Sequence, residues 1–297
     1  MSGYVLEARD IKVSFKKENQ KTLFGRERQE VLHGVSLHLA RGECLGVIGE
    51  SGSGKSTLGR VLAGLLKPDA GSVTLDGLDV YARHGREEKH RLQHRLSIVF
   101  QDYSSSANPR FRVEHIIGES LRALEISTGK RYDRRARISE LLERVGLGPQ
   151  FMRRYPHELS GGQLQRVCIA RAIAVEPGVI LLDEAISSLD ASTQIQVMDL
   201  LMDLRAAHGL SYLFITHDLA AVTYMCDRVL FFHGGRVVEE ARDTRRIAEL
   251  ENDYARQLLG SVMGLGLDGG YAGKAAHHPD PVSEAAGVAA PACPRVA

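Results

Sequence analysis

The feature that most constrains this chain is a glycine-rich segment that joins an apolar run to a helical pattern. The apolar run, CLGVIG at residues 44–49, has the continuous hydrophobic character of a buried parallel strand. The segment GESGSGKS begins at the last residue of this run and matches the pattern GxxxxGK(S/T). Apolar residues then recur with the spacing of one helix face, at Leu58, Val61, Leu62, Leu65 and Leu66. A glycine-rich turn in this context directs its backbone N–H groups inward and predicts a phosphate-binding loop for a nucleoside triphosphate.

The side chains of this loop have different expected tasks. Lys55 would reach the β- and γ-phosphates, and the Ser56 hydroxyl would ligate Mg²⁺. The helix that begins near Ser56 would add the positive end of its dipole to the site. The loop and the first helical residues are expected to bind the nucleotide through Gly49, Glu50, Ser51, Gly52, Ser53, Gly54, Lys55, Ser56 and Thr57.

Two carboxylates end a second apolar run, which has the sequence VILLDE at residues 179–184. Neighbouring side chains of a strand point to opposite sides, so the two carboxylates can perform different tasks. Asp183 is expected to hold the Mg²⁺ shell through water, and Glu184 to act on the attacking water as general base or as orienting group. Another strand pattern ends at His217, which would donate a hydrogen bond to the γ-phosphate. On its own, a histidine at a strand end is more often structural.

A second anion site is indicated by the segment LSGGQ at residues 159–163, which precedes another helical pattern. Ser160 is a favourable N-cap, and the two glycines leave backbone N–H groups open at the positive end of the helix. One nucleotide does not need two γ-phosphate sites in the same polypeptide. The pattern therefore favours a second site that serves a nucleotide held by another subunit, with a plain capped helix as the alternative.

The order and spacing of these motifs resemble those of ATP-binding cassette (ABC) transporter ATPases. The resemblance includes Gln101 and the segment SSLD at residues 187–190, and it covers about residues 4–260. It implies an α/β fold with a P-loop NTPase (RecA-like) core, an antiparallel β subdomain and a helical insertion specific to the family. It also implies that ATP and Mg²⁺ bind, and that ATP and water react to give ADP and phosphate.

The resemblance also implies a domain organisation. The ATPase domain is expected at residues 4–262, with the core at about 30–100 and 165–240 and the helical subdomain at about 102–164. The segment 264–297 is rich in glycine, alanine and proline and poor in large apolar residues, so it is predicted to be disordered.

Further site residues are expected from the resemblance alone. In a head-to-tail dimer, each ATP would lie between the phosphate-binding loop of one subunit and the LSGGQ segment of the other. The residues expected to bind ATP in trans are Ser160, Gly161, Gly162 and Gln163. Gln101 would touch Mg²⁺ and the attacking water, and would link hydrolysis to the helical insertion. The predicted catalytic residues are therefore Glu184, His217 and Gln101, and the predicted magnesium ligands are Ser56, Gln101 and Asp183.

Two positions complete the expected site. Asp190 would shape the dimer contact, and Phe15 would stack on the adenine ring. Phe24 is the alternative stacking residue, and either aromatic side chain can instead belong to the hydrophobic core.

Three segments resemble the branch of the family that imports dipeptides, oligopeptides or nickel. The run after Gln101 ends in Asn-Pro-Arg at residues 108–110, as in the extended loop of that branch. The segment YARQLL at 254–259 resembles its post-cassette segment, and the loop before Val31 is long and basic.

Within this branch, the chain most resembles the second ATPase of nickel importers. Leu164 stands where peptide importers usually carry a basic residue, and Ala185-Ile186 replaces the usual Pro-Thr pair after the glutamate. The C-terminal cysteine cluster of many peptide importers is absent, since Cys293 stands alone. These features favour nickel or a metal–chelate complex as the solute, with peptides as the alternative.

Composition and charge limit the kinds of partner and the cellular compartment that we expect for this protein. The 297 residues carry 38 basic and 37 acidic side chains, a net charge of +1 that argues against a nucleic-acid partner. No run approaches the ~18 apolar residues of a membrane span, and the N-terminal segment has charges where a signal peptide needs an apolar core. Four cysteines without CxxC spacing fit a reducing compartment. These features predict a cytoplasmic protein.

The family resemblance therefore predicts a peripheral protein at the cytoplasmic face of the cell membrane. Its expected partners are integral membrane permease subunits, a second ABC ATPase and, indirectly, a solute-binding protein. An unlike second ATPase is favoured, with a homodimer as the alternative. Two other functions are less favoured. A P-loop kinase would share the phosphate-binding loop but has no use for the LSGGQ segment. Soluble ABC proteins of translation or DNA repair usually carry two cassettes or a long coiled-coil insertion, and neither is present in this sequence.

Overall fold

The computed structural model describes residues 3–16, 28–102 and 106–263, and two β-sheets organise them. The strands are β1 (Tyr4–Lys16), β2 (Arg28–Ala40), β3 (Cys44–Ile48), β4 (Ala70–Leu75), β5 (Leu78–Asp79), β6 (Leu96–Val99), β7 (Val179–Asp183), β8 (Ser211–Thr216), β9 (Arg228–His233) and β10 (Arg236–Ala241). One sheet has the order β2-β1-β4-β5 and is antiparallel, and the other has the order β10-β9-β3-β8-β7-β6. In the second sheet, the neighbours from β9 to β6 are parallel, and β10 returns antiparallel to β9.

The parallel sheet brings the phosphate-binding loop and the acidic pair to one edge. β8 lies between β3 and β7, with Ile48 paired to Thr216 and Asp183 paired to Ile215. Every residue of β3 and β8 is buried, as in parallel strands covered on both faces. Because the carboxyl ends of parallel strands share an edge, the segments after β3, β7 and β8 meet there.

The helices cover the parallel sheet and form the segment between β6 and β7. They are α1 (Lys55–Leu62), α2 (Arg86–Arg95), α3 (Val113–Thr128), α4 (Arg134–Arg144), α5 (Gly161–Ile173), α6 (Ala191–His208), α7 (Leu219–Met225) and α8 (Asp253–Met263), with short 3-10 helices at Pro149–Arg153, Pro156–Glu158 and Thr244–Glu249. α3, α4 and α5 pack on one another through buried residues such as Ile117, Leu141 and Val167. Asp133 caps α4 by accepting the N–H groups of Arg135 and Ala136.

The antiparallel sheet shares a hydrophobic core with the parallel sheet. The buried cluster includes Leu6 of β1, Leu58 of α1, Leu181 of β7 and Ile215 of β8. α1, which follows the phosphate-binding loop, therefore contributes to the core between the two sheets. β2, β4 and β5 of the antiparallel sheet occupy part of the range 30–100, where the family resemblance leads us to expect the RecA-like core.

The helix after the phosphate-binding loop is shorter than the sequence pattern predicts. α1 ends at Leu62, and Gly64 has a φ of +74°, so the helix face does not continue to Leu65 and Leu66. The Tyr81 hydroxyl lies within hydrogen-bonding distance of the Val61 and Leu66 carbonyl oxygens and holds this turn. The side chain of Leu65 is 62% exposed as a result.

Part of the basic segment before Val31, which the sequence predicts to be a loop, belongs to strands. Lys16 is the last residue of β1, while Arg28 and Gln29 open β2. Phe24 and the segment 264–297 lie outside the described residues. Within the described part of the chain, none of the helices combines the length and apolar character that a bilayer span requires.

Candidate functional site

The phosphate-binding loop connects the end of β3 to the start of α1 at Lys55. Its conformation depends on glycine, because φ is +79° at Gly52 and +104° at Gly54, in the left-handed region that other residues avoid. A Cβ atom on Gly49 would lie 2.0 Å from the Phe232 carbonyl oxygen. Only glycine therefore allows the loop to pack this closely against β9.

The Lys55 side chain binds to the backbone at the start of the phosphate-binding loop in this structure. Its side chain is 3% exposed, and Nζ donates to the carbonyl oxygens of Gly49 at 2.8 Å and Glu50 at 2.7 Å. Burial lowers the pKa of Lys55, although the carboxylates of Glu184 and Asp183 act in the opposite direction. The ammonium group is thus bound to the loop carbonyls within the electrostatic influence of the acidic pair, and a phosphate would replace the carbonyls as its partner.

A hydroxyl and a carboxylate meet where α1 faces the end of β7. Ser56 Oγ donates to Asp183 Oδ1 at 3.1 Å. Burial raises the pKa of Asp183, and the hydrogen bond from Ser56 only partly offsets this effect. Mg²⁺ prefers oxygen ligands of this kind, and a divalent cation would offset the desolvation of the carboxylate. These residues fit a magnesium site.

Ser53 adds an unsatisfied polar atom to the loop. Its Oγ is buried and has no hydrogen-bond partner among the described residues. A buried hydroxyl without a partner is costly, so a ligand in the loop would supply what the protein does not.

Glu184 lies directly after β7 in a constrained backbone conformation. Its φ is +48°, its N–H donates to Ile215 O at 2.8 Å, and its carbonyl oxygen accepts the Ser187 hydroxyl at 2.9 Å. A left-handed glutamate is strained and persists only where its surroundings fix it. His217 Nδ1 lies 3.6 Å from Glu184 Oε2, so the structure brings the two predicted catalytic side chains together.

Gln101 follows β6, and its side chain is exposed. It borders one groove together with Ser56 and Asp183, the other two predicted magnesium ligands. Phe100 and Arg171 line the same groove. The predicted metal-binding side chains therefore face a common opening at the sheet edge.

The LSGGQ segment forms the capped helix start that its sequence indicates. The Ser160 hydroxyl accepts the Gln163 N–H at 3.3 Å, and Gln163 Oε1 accepts the Ser160 N–H at 3.0 Å. Gly161 is the first residue of α5. A Cβ atom on Gly162 would lie 2.4 Å from Thr193 Cγ2, so this glycine allows α5 to start against α6.

Asp190 caps α6 beside this segment. Its carboxylate accepts the Thr193 N–H at 3.0 Å and the hydroxyls of Thr193 at 2.7 Å and Ser192 at 2.6 Å. These donors hold the pKa of Asp190 well below its usual range. No hydrogen bond between described residues joins Asp190 or the LSGGQ segment to the phosphate-binding loop. The LSGGQ segment and Asp190 thus lie near each other at the starts of α5 and α6, through the close approach of Gly162 to Thr193.

Phe15 lies near the end of β1, opposite Gln29 of β2. Its side chain is 42% exposed, so part of the ring surface is available to a ligand. Phe24, the alternative stacking residue, lies outside the described residues.

Two contacts of the phosphate-binding loop were not among the predicted site residues. Gly235, in the turn between β9 and β10, donates its N–H to Ser53 O at 2.9 Å. Tyr254 of α8 accepts the Glu50 N–H on its hydroxyl at 3.0 Å. In the sequence, Tyr254 belongs to a segment that resembles the post-cassette segment of the importer branch, and no local pattern relates either Tyr254 or Gly235 to the loop.

Comparison with known proteins identifies the family. The sequence model described as ABC transporter matches residues 32–187. A Brucella abortus protein named as a peptide import ATP-binding protein is 47% identical over 228 residues, which cover 77% of this chain and 68% of that protein. The ATP-binding protein CntF of a metal-staphylopine import system in Staphylococcus aureus is 42% identical over 255 residues, 86% of this chain and 98% of that protein.

Solved structures agree with this assignment. The ATP-binding cassette MJ0796, solved as a dimer in a post-hydrolysis state with ADP and Pi, is 28% identical, with a TM-score of 0.68 over 80% of this chain and 97% of that one. CbiO1 from Clostridium perfringens, part of the ABC transporter complex cbiONQ, is 25% identical, with a TM-score of 0.68 over 90% and 96% of the two chains. The predicted α/β fold with a P-loop core is confirmed. The chain belongs to the ABC transporter family and is an ATP-binding, ATP-hydrolysing cassette of it.

Proposed function

We propose that this cassette is the motor subunit of an ABC importer for nickel or a metal–chelate complex. The observation that carries the catalytic part is the meeting of Ser56, Asp183, Glu184 and His217 beside the phosphate-binding loop. Import is supported by the names of the relatives, which assign peptide import to one and metal-staphylopine import to another.

The loop residues 49–57 would bind the phosphates of ATP, with the adenine ring stacked on Phe15. Lys55 would leave the carbonyl oxygens of Gly49 and Glu50 and turn to the β- and γ-phosphates. Ser56, Asp183 and Gln101 would hold Mg²⁺, which when bound neutralises charge on the transferred phosphoryl group.

Glu184 would accept a proton from the attacking water or orient it, close to the γ-phosphate. Its fixed backbone supports this role, because a base must stay within hydrogen-bonding distance of its water. His217 lies 3.6 Å from the Glu184 carboxylate and would donate to the γ-phosphate from the same position. Chemistry of this kind consists mainly of positioning and electrostatic stabilisation.

A second cassette would complete each site. Ser160, Gly161, Gly162 and Gln163 would bind the γ-phosphate of an ATP held by the partner, and Asp190 would lie in the dimer contact. Binding in trans is supported by the dimeric structure of the related cassette, and among the described residues no hydrogen bond links these residues to the phosphate-binding loop of the same chain. An isolated chain would therefore be a poor ATPase.

The transport role assigns further partners. The segment between β6 and β7 would act on integral membrane permease subunits, and the chain would be peripheral at the cytoplasmic membrane face. We favour a second ATPase that differs from this chain.

The site on this chain would itself be active. Ala185 and Ile186, which replace the usual Pro-Thr pair, are buried and carry no polar group that the chemistry needs.

Two classes of solute compete, peptides and metals, where the metal enters as nickel or as a metal–chelate complex. Metal–chelate uptake is supported by the relative that this chain covers over 98% of its length at 42% identity. Peptide uptake is supported by the relative with 47% identity over 68% of its length. Nickel uptake rests on the sequence features at Leu164, Ala185 and Ile186.

Deletion of the gene separates these solutes. The deletion strain should lose nickel or metal–chelate accumulation under metal starvation and keep growth on di- and tripeptides. A wild-type copy should restore uptake, and a Lys55→Ala copy should not. A strain that accumulates metal normally but fails to grow on peptides would favour peptide import. A purified complex that contains two copies of this chain and no second ATPase would exclude the unlike partner.

A further inference from the structure

The post-cassette helix α8 touches the phosphate-binding loop directly. The Tyr254 hydroxyl accepts the backbone N–H of Glu50 at 3.0 Å, although 204 positions separate the two residues in the chain. The tyrosine ring lies against the ring of His233, with 4.2 Å between the centroids. Tyr254 lies outside residues 32–187, the part of the chain that the family model matches.

The start of α8 is fixed to the sheet, so this contact is not that of a loose terminal helix. The Glu239 carboxylate on β10 accepts the N–H groups of Glu251 at 2.7 Å and Asn252 at 3.0 Å. Asn252 Oδ1 then accepts the Tyr254 N–H at 3.0 Å, and Ala255 is fully buried. A short chain of hydrogen bonds therefore sets the position of the tyrosine relative to β10.

The contact involves a peptide group that Lys55 also holds. The N–H of the peptide between Gly49 and Glu50 donates to the Tyr254 hydroxyl. The carbonyl oxygen of the same peptide, which belongs to Gly49, accepts a hydrogen bond from Lys55 Nζ at 2.8 Å. When Lys55 turns to the phosphates, the carbonyl side of this peptide loses its partner. The contact with Tyr254 does not depend on Lys55 and can persist. Burial raises the pKa of Tyr254, so the phenol stays protonated at neutral pH.

We propose that Tyr254 is a positioning residue of the ATP site, which keeps the Gly49–Glu50 peptide oriented while Lys55 moves to the phosphates. The role rests on the proposed ATP site and adds α8 to it. Without the hydroxyl, the start of the loop samples more conformations, and ATP binding must restrict them. Loss of one hydrogen bond of this kind corresponds to about a 3- to 10-fold weaker affinity for ATP. The transition state gains no group from Tyr254, so kcat stays nearly unchanged.

The test is Tyr254→Phe in the full chain, which removes the hydroxyl and keeps the ring against His233. Binding of Mg-ATP is measured by calorimetry on the chain, and KM and kcat are measured in the assembled transporter. We expect Kd and KM to rise about 3- to 10-fold, with kcat within about twofold and no change in the melting temperature of the nucleotide-free chain. Tyr224→Phe is the matched control, because its hydroxyl donates to Asp199 on α6.

Three results would overturn the proposal: wild-type affinity in Tyr254→Phe, an equal loss of affinity in Tyr224→Phe, or a lower kcat at unchanged KM. Glu239→Ala provides a second route, because it releases the start of α8. Glu239→Ala should lower the affinity for ATP. The double variant of Tyr254→Phe and Glu239→Ala should lose less affinity than the product of the two single losses. Effects that multiply fully would contradict positioning through α8.

The outcome is distinguishable from a failure of the ATP site itself. If the wild-type chain does not bind Mg-ATP, the proposed site residues are wrong. If the wild-type chain binds and Lys55→Ala does not, while Tyr254→Phe matches wild type, only the role of Tyr254 is wrong.

Discussion

Ser56 Oγ donates a 3.1 Å hydrogen bond to Asp183 Oδ1, although the two residues lie 127 positions apart. The contact ties the first turn of α1 to the end of β7. It brings the loop that would hold the phosphates next to the carboxylates that would handle Mg²⁺ and water. The arrangement follows from strand order, since β3 and β7 both flank β8 and end at the same edge.

Replacement of Asp183 by asparagine should have opposite effects on stability and on catalysis. Burial raises the pKa of Asp183, so its charged form destabilises the folded, nucleotide-free chain. Asp183→Asn should therefore raise the melting temperature without nucleotide at neutral pH, while Mg²⁺-dependent ATP hydrolysis falls.

Because the pKa of Asp183 is raised in the folded chain, the stability gain of Asp183→Asn should depend on pH. Above the raised pKa the carboxylate is charged in both the folded and the unfolded chain, so the folded state carries the full penalty. The stability gain of Asp183→Asn should shrink as the pH falls through the raised pKa towards the ordinary value of an aspartate. Melting curves of both chains across this range test it, and a gain that grows at lower pH would contradict the assignment.

Lys55→Ala should fail at nucleotide binding, because it removes the positively charged side chain that this loop offers to the β- and γ-phosphates. Equilibrium binding of a fluorescent ATP analogue measures the loss. Lys89→Ala on α2 removes a lysine outside the site and serves as the control. Unchanged affinity in Lys55→Ala would contradict the phosphate-binding role of the loop.

Removal of residues 264–297 should leave ATPase activity and the melting temperature unchanged. This segment has too little apolar content to offset the entropy of its own ordering. A truncated chain that ends at Met263 keeps α8 and its contact with the loop. A clear fall in melting temperature on truncation would show that the segment docks on the rest of the protein.

Local patterns in the sequence predict most of the candidate site at the edge of the parallel sheet. Apolar runs predict β3, β7 and β8. The glycine-rich segment after β3 gives Lys55 as a candidate, and the polar residues at the ends of the other two runs give Asp183, Glu184 and His217. Parallel strands bring such ends together without any further information. The strand order itself, with β8 between β3 and β7, could be expected only from the family resemblance.

Contacts between distant segments were not predictable in this way. The Glu50 N–H donates to the Tyr254 hydroxyl and the Gly235 N–H donates to the Ser53 carbonyl oxygen, and no local pattern relates either pair of residues. The end of α1 was also misjudged, because the spacing of Leu65 continues the helix face while Gly64 turns the chain away from it. Periodicity identifies an apolar face, but tertiary contacts decide where the helix stops.

The most direct test of the central claim is the rate of phosphate release by Glu184→Gln in the assembled transporter. The change keeps size and hydrogen bonding and removes the base, so ATP should still bind while hydrolysis falls about 10²- to 10⁴-fold. Glu87→Gln, at an exposed position of α2, is the matched control and should hydrolyse ATP at the wild-type rate. A Glu184→Gln transporter that releases phosphate at nearly the wild-type rate would contradict the account.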